Sequence, residues 1–222
     1  MTTVLLATRN RHKVGEIRAV LGEGLTFLSL ADLAGSPSVV EDAPTFAGNA
    51  CRKAEGLARW LAGEAARFDP AATRVLADDS GLEVDALNGL PGVHSARFAA
   101  QEAGRDGNAS DAENNAKLLR LLAGVAPAER TARFRCALAW TAVPPDPAAP
   151  APTQVFEGVC EGRVLTALRG THGFGYDPLF QPLGYEATFA ELGEAVKNRL
   201  SHRAKALAAL RAWLEIHGPG KP

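Results

Sequence analysis

Apolar residues in this chain recur at two periods, and the changes between them mark out its elements. Residues 4–7 form a short unbroken apolar run of the kind a buried strand shows. Behind it Val14, Ile17, Val20 and Leu21 recur at helical spacing. The same spacing returns from residue 46 to about residue 61, where Ala50, Ala54, Leu57 and Leu61 share one stripe and Thr45 stands as a cap. Residues 75–77 read as a strand that ends at the adjacent Asp78 and Asp79. Ser110-Asp-Ala-Glu113 has the form of a capping box and opens a helix with Leu118, Leu119, Leu121 and Leu122. The period then drops to two, with Phe134, Cys136, Leu138 and Trp140 alternating as in a strand. The run PPDPAAPAP at 144–152 is a loop, because proline has no N–H to give a central ladder. Residues 155–165 return as strand, which makes a long hairpin. Ser201 caps a last helix whose apolar face holds Leu207, Leu210 and Leu214. No repeat or linker interrupts the pattern. It predicts a single domain over residues 1–222, α/β in class, with a mixed sheet and flanking helices.

Composition narrows the partners. Hydrophobic residues at 46% and charged residues at 22% describe an ordinary globular chain. The 24 basic and 25 acidic side chains leave a net charge of −1, which argues against nucleic acid or an anionic membrane as partner. Cys51, Cys136 and Cys160 are scattered and form no CxxC, so a reducing compartment is expected rather than a disulfide framework or zinc site. The opening MTTVLLATRNRHK has its basic cluster on the wrong side for a secretory signal. No stretch approaches the roughly 20 apolar residues of a membrane span. The expectation is a cytoplasmic protein with neither membrane nor nucleic acid as partner.

Four polar clusters stand at the ends of elements. Thr8, Arg9, Asn10, Arg11, His12 and Lys13 lie where the first strand passes into its helix, a place suited to phosphate through free N–H groups and the positive dipole end. Asn10 as a plain helix cap accounts for the same residues. Glu41 and Asp42 precede the helix that carries Asn49 and Lys53. Asp78, Asp79 and Ser80 form the third cluster. Two neighbouring carboxylates repel unless something compensates them. A solvated turn and a metal site both answer that. The fourth cluster joins Gly173-Phe-Gly-Tyr-Asp-Pro178 to Lys197 and to Ser201-His202-Arg203. Its glycines permit close approach to a ligand, and Phe174 or Tyr176 offers a ring to a base. Carboxylates for a hard divalent ion, lysines for phosphates and an aromatic for a base together describe a nucleoside triphosphate site. Neither GxxxxGK[ST] nor GxGxxG is present.

The motifs LATRNRHK, TFAGNACRKA, ADDSGLEVDALNGLPGVHSARF, RGTHGFGYDPLF and SHRAKAL, with Lys197 before the last, follow one another in this order. In them the sequence resembles, nearly end to end, the noncanonical purine nucleoside triphosphate pyrophosphatases, the inosine triphosphate pyrophosphatase family. The resemblance implies two lobes around a central nucleotide-binding groove, a homodimer, and Mg²⁺-dependent hydrolysis of ITP, dITP, XTP or dXTP to monophosphate and pyrophosphate. It also implies roles. Thr8, Asn10, Lys13, Lys53 and Ser80 would hold the triphosphate, with Arg9, Arg11 and His12 in the same loop. Glu41 and Asp79 would take Mg²⁺, and Asp79 would activate the attacking water. Phe174, Gly175, Tyr176, Asp177, Lys197, His202 and Arg203 would enclose and read the base. The family often has two glutamates and a glycine before its TF motif. Here Val40-Glu41-Asp42-Ala43 stands there, so both Glu41 and Asp42 occupy the place. Arg9 replaces a usual glycine and either extends the cationic clamp or faces solvent. Adjacent side chains on an extended segment point to opposite sides, so Asp78 and Asp79 are expected to do different work.

Overall fold

Three long strands carry most of the sheet, and short parallel strands extend one edge of it. The computed structural model describes residues 2–22, 24–64 and 66–219. Strands β1 (Thr2–Leu6), β2 (Leu25–Ser29), β3 (Thr73–Val84), β4 (Thr131–Ala142), β5 (Thr153–Val164) and β6 (Phe180–Pro182) stand in the order β2-β1-β3-β4-β5-β6. β1 pairs in parallel with β2 and with β3, while β6 lies antiparallel to β5. Helices α1 (Arg11–Leu21), α2 (Phe46–Gly63), α3 (Phe98–Glu102), α4 (Asp111–Leu121), α5 (Phe189–Leu200) and α6 (His202–His217) complete the chain. The expected α/β fold with a mixed sheet and flanking helices is the fold observed. Among the described residues no helix is long and apolar enough to cross a membrane.

The chain divides into two compact units. The first takes Met1–Asp79, Cys136–Gly158 and Arg203–Pro222. Val4, Leu5 and Leu6 are all fully buried, as a parallel strand covered on both faces requires. Val4 and Leu6 share a core with Ile17 and Leu21 of α1, Leu76 of β3, Leu138 and Trp140 of β4, and Leu207 and Leu210 of α6. The alternation read in β4 is real on one face. Ala137, Ala139 and Thr141 are buried on the other as well, where small side chains leave room for a covering layer.

The second unit takes Ser80–Arg135 and Val159–His202. Its core gathers Leu82, Val84, Leu118, Phe134, Leu179, Phe180 and Phe189. The ring of Phe134 meets Phe180 edge-on at 4.6 Å. Ser110 caps α4 reciprocally with Glu113, as the sequence indicates. Arg130, itself buried, closes the other end of that helix by donating to the carbonyls of Leu122 at 2.7 Å and Val125 at 3.1 Å.

Two readings need correction. β3 does not stop at the aspartates but runs through Asp78, Asp79 and Ser80 to Val84. A strand carries two charges inward when each meets its own partners, and here each does. The sequence pattern also passed over β2 and α5. β2 has only five residues with no strict alternation, and Gly193 sits inside α5 at a non-helical φ of 75°.

Candidate active site

The two aspartates of β3 are both buried, at 3% and 7% exposure, and they face different neighbours. Asp78 pairs through Oδ1 with the Lys13 ammonium. Its Oδ2 accepts from Arg203 Nε at 2.8 Å and from the Cys136 thiol at 3.2 Å. Arg203 in turn pairs through Nη1 with Glu16. α1 supplies both Lys13 and Glu16, three residues apart on one face. The result is a chain of two cations and two anions, alternating from Lys13 to Glu16. Burial acts to raise the Asp78 carboxyl, but the charges of Arg203 and Lys13 and their hydrogen bonds hold it well below the usual carboxylate range. Burial and the neighbouring Asp78 charge push the Cys136 thiol well up, so it stays a neutral donor.

Asp79 belongs to a second cluster, centred on Lys53. The Lys53 ammonium donates to Asp78 C=O at 2.8 Å, Glu41 Oε2 at 2.9 Å and Asp79 Oδ1 at 3.0 Å. Three acceptors match its three N–H donors. Asn49, one helical turn before Lys53 on α2, donates to Asp79 Oδ2 at 3.3 Å and accepts from the Ala43 N–H at 2.9 Å. Thr45 caps this helix through the Gly48 N–H, as expected from the sequence. Burial and the Glu41 charge raise the Asp79 carboxyl against the pull of Lys53 and Lys13. Burial also works to raise Glu41, but the charge of Lys53 and its hydrogen bond bring it below its ordinary value. Two carboxylates thus lean on one ammonium.

That donor set fits a hard divalent ion. Mg²⁺ is commonly held by one or two carboxylates while phosphates and waters complete the shell. Among the described residues no group of three or more His, Cys, Asp or Glu is gathered to hold an ion alone. Of the two acidic residues before α2, Glu41 stands beside Asp79. Asp42 is exposed and pairs with Arg52 instead.

The loop before α1 is organised by its own side chains. Asn10 Oδ1 accepts from the N–H groups of His12 at 2.9 Å and Lys13 at 3.3 Å, while Thr8 Oγ1 accepts from the Asn10 N–H at 3.1 Å. Asn10 is therefore the helix cap. Arg9 is exposed and donates to Ser36 Oγ at 2.9 Å. Arg11 and His12 are exposed.

In the second unit the glycine-flanked loop is tightly made. Gly173 has a φ of 79°, and an added Cβ there would run into the Asp177 carboxylate. Asp177 Oδ2 accepts from the Phe174 N–H at 2.9 Å and from Lys197 Nζ at 2.6 Å. The same ammonium lies 4.3 Å from the centroid of the Phe174 ring, a cation–π contact. Tyr176 is buried and donates to the Ser95 carbonyl at 2.9 Å, so Phe174 is the half-exposed ring of the loop. His202 is buried and stacks on Phe134 at 4.7 Å.

Arg203, for which the resemblance implies a role at the base, has its guanidinium buried, at 1% exposure, against Asp78 and Glu16. The reason is charge: a buried carboxylate on β3 draws the nearest cation that the start of α6 offers. Glu16, Cys136, Asp111 and Asn115 were missed. Glu16 had a signal, three residues past Lys13 on one helix face; Cys136 had none beyond its apolar period. Asp111 and Asn115 of α4 reach the loop itself: Asp111 Oδ2 accepts from the Gly175 N–H at 2.6 Å, and Asn115 Nδ2 donates to the Gly175 carbonyl at 2.9 Å. The other amide atom of Asn115, Oδ1, is buried without a partner. An unpaired buried acceptor costs about 1–3 kcal/mol, whereas one neutral hydrogen bond returns about 0.5–1.5 kcal/mol.

Fold and site together define a class: an α/β protein whose carboxylates, lysines and capped helix start suit phosphoryl chemistry. The chain belongs to the Ham1 family, whose profile matches residues 4–213. It is similar to a dITP/XTP pyrophosphatase of Geobacillus kaustophilus (strain HTA426), with 47% identity over 98% of this chain and 97% of that protein. A dITP/XTP pyrophosphatase of Geobacter sulfurreducens is 46% identical over 98% of this chain and 99% of that one. Among solved structures, a HAM1 protein from Coxiella burnetii superimposes with a TM-score of 0.79 at 34% identity, covering 97% of this chain and 100% of that one.

The Asp78 cluster makes a prediction about stability. Asp78→Asn leaves Arg203 and Lys13 facing an uncharged amide, and removing one partner of a buried pair costs about 3–5 kcal/mol. Because the folded carboxyl is held low, its contribution is complete above the ordinary value of about 4 and is lost as pH falls through the depressed one. Urea unfolding of both proteins should show a gap that is constant from pH 7 to about 4 and narrows below it. A gap already narrowing between pH 7 and 5 would contradict the assignment.

Proposed function

We propose that this protein hydrolyses deaminated purine nucleoside triphosphates, namely ITP, dITP, XTP and dXTP, to the monophosphate and pyrophosphate, and so clears them from the nucleotide pool. The observation that carries the reading is the Lys53 ammonium held between Glu41, Asp79 and the Asp78 carbonyl. The names borne by the relatives give the substrate class. The protein is taken to work in the cytoplasm as a Mg²⁺-dependent homodimer, with no nucleic acid or membrane as partner.

The residue roles rest on the resemblance, and the chemistry of each side chain supports them. Thr8, Arg9, Asn10, Arg11, His12 and Lys13, with Lys53 and Ser80, are assigned to the triphosphate. Cations and a helix start neutralise its charge. Glu41 and Asp79 are assigned to Mg²⁺. When bound, that ion supplies Lewis-acid polarisation and charge neutralisation at the phosphate oxygens. Asp79 takes the proton of the attacking water as that water approaches the α-phosphorus. A carboxyl raised by burial is a stronger base than one in water. Lys53 pulls the Asp79 carboxyl down against burial and the Glu41 charge, and aims it. Asp78 contributes from beneath, with its carbonyl on Lys53 and its side chain locked.

Phe174, Gly175, Tyr176, Asp177, Lys197, His202 and Arg203 are assigned to the base end, where Phe174 offers its ring and His202 and Arg203 are the donors. Hypoxanthine and xanthine carry an oxygen where adenine carries an amino group. A site built of donors pairs with the first and leaves donors facing donors against the second, a large discrimination when buried.

The test is a kinetic panel of ITP, dITP, XTP, GTP and ATP with Mg²⁺, its products separated by chromatography. IMP and pyrophosphate from ITP are expected, with ATP turned over far more slowly; IDP and orthophosphate would defeat the proposal. Asp79→Asn is expected to keep the fold and lose on the order of a hundredfold in turnover. A folded Asp79→Asn protein with near wild-type ITP hydrolysis would remove Asp79 from its role.

A further inference from the structure

One helix grips the glycine loop at a single residue. Gly175 gives its N–H to Asp111 and receives at its carbonyl the amide of Asn115. Asp111 and Asn115 stand one turn apart on α4, so they project from the same face. Both hydrogen-bonding groups of one backbone residue are thus taken by one helix. Gly175 has a φ of 63° and open space where a side chain would be, so packing does not fix it. Glycine visits many backbone conformations at little cost, and something outside the loop must choose one. α4 is firm enough to do so. Its start is boxed by Ser110 and Glu113, its end is closed by Arg130, and Lys117 donates to the Phe98 carbonyl at 2.7 Å.

Stability does not account for Asn115. Its amide is buried, and the cost of its unpaired oxygen offsets most or all of what its one bond returns. A leucine of similar volume would avoid that loss. What leucine lacks is the bond to Gly175. We propose that Asp111 and Asn115 are positioning residues that clasp Gly175 and so fix the angle at which the neighbouring Phe174 ring meets a purine base. The proposal rests on the nucleotide reading above. A loop already set in its bound shape loses less freedom when a ligand arrives, so the benefit falls on affinity.

The test uses the full chain. Asn115→Leu removes the amide and keeps the space filled. It should leave the thermal midpoint unchanged or raised, while KM for ITP rises about tenfold with the loss in KM rather than in kcat. Asp111→Ala, at an exposed position that does not endanger the core, should raise KM in the same direction. Hydrogen exchange of the ligand-free protein reads the clasp without turnover, and residues 171–178 should exchange about tenfold faster in both variants. Unchanged exchange in both would overturn the proposal. So would a midpoint lowered by several degrees in Asn115→Leu with KM unmoved, which would make Asn115 a core residue and nothing more. A wild-type protein that releases no pyrophosphate from ITP would defeat the functional reading alone, since faster exchange in the variants would still establish the clasp.

Discussion

Asp78 is a full charge placed where water cannot reach it, and the first unit is arranged to make that tolerable. Lys13 comes from α1, Arg203 from the start of α6 and the Cys136 thiol from β4, so three elements meet on one carboxylate. Glu16 then satisfies the remaining charge of Arg203. A buried ion pair of this kind does little for net stability compared with an apolar core of equal volume. Its effect is on geometry: breaking any one partner strands a charge, so the elements are held to one arrangement.

That arrangement sets the chemistry one residue further on. Because successive strand side chains alternate, locking Asp78 to one side commits Asp79 to the other. The Asp78 carbonyl is meanwhile a third of the cradle for Lys53. Asp79 is therefore neither a free surface acid nor a fully neutralised core one. Burial and Glu41 push its carboxyl up while Lys53 pulls it down. A phosphoryl centre asks mainly for positioning and charge balance, and those are what this pair of clusters provides.

Local signals were legible and distant ones were not. Thr45, Asn10 and the Ser110–Glu113 box cap helices where the sequence places caps, because a cap is decided within four residues. The apolar run at β1 was readable for the same reason. The strand through Asp78 and Asp79 was misread as ending there, since the partner that neutralises Asp78 is Arg203, 125 positions away. The pairing of Arg203 with Asp78 and Glu16 was illegible for the same reason. The grip of Asp111 and Asn115 on Gly175 reaches across 64 and 60 positions, and nothing in the local pattern of α4 announces it.

The role proposed for Asp79 is to aim water at the α-phosphorus of the nucleotide. Hydrolysis of ITP in ¹⁸O-labelled water reads the point of attack directly, by mass spectrometry of both products after a single turnover. The heavy oxygen is expected in the monophosphate and none in pyrophosphate. Label appearing in pyrophosphate would place the attack on the β-phosphorus and contradict the role given to Asp79.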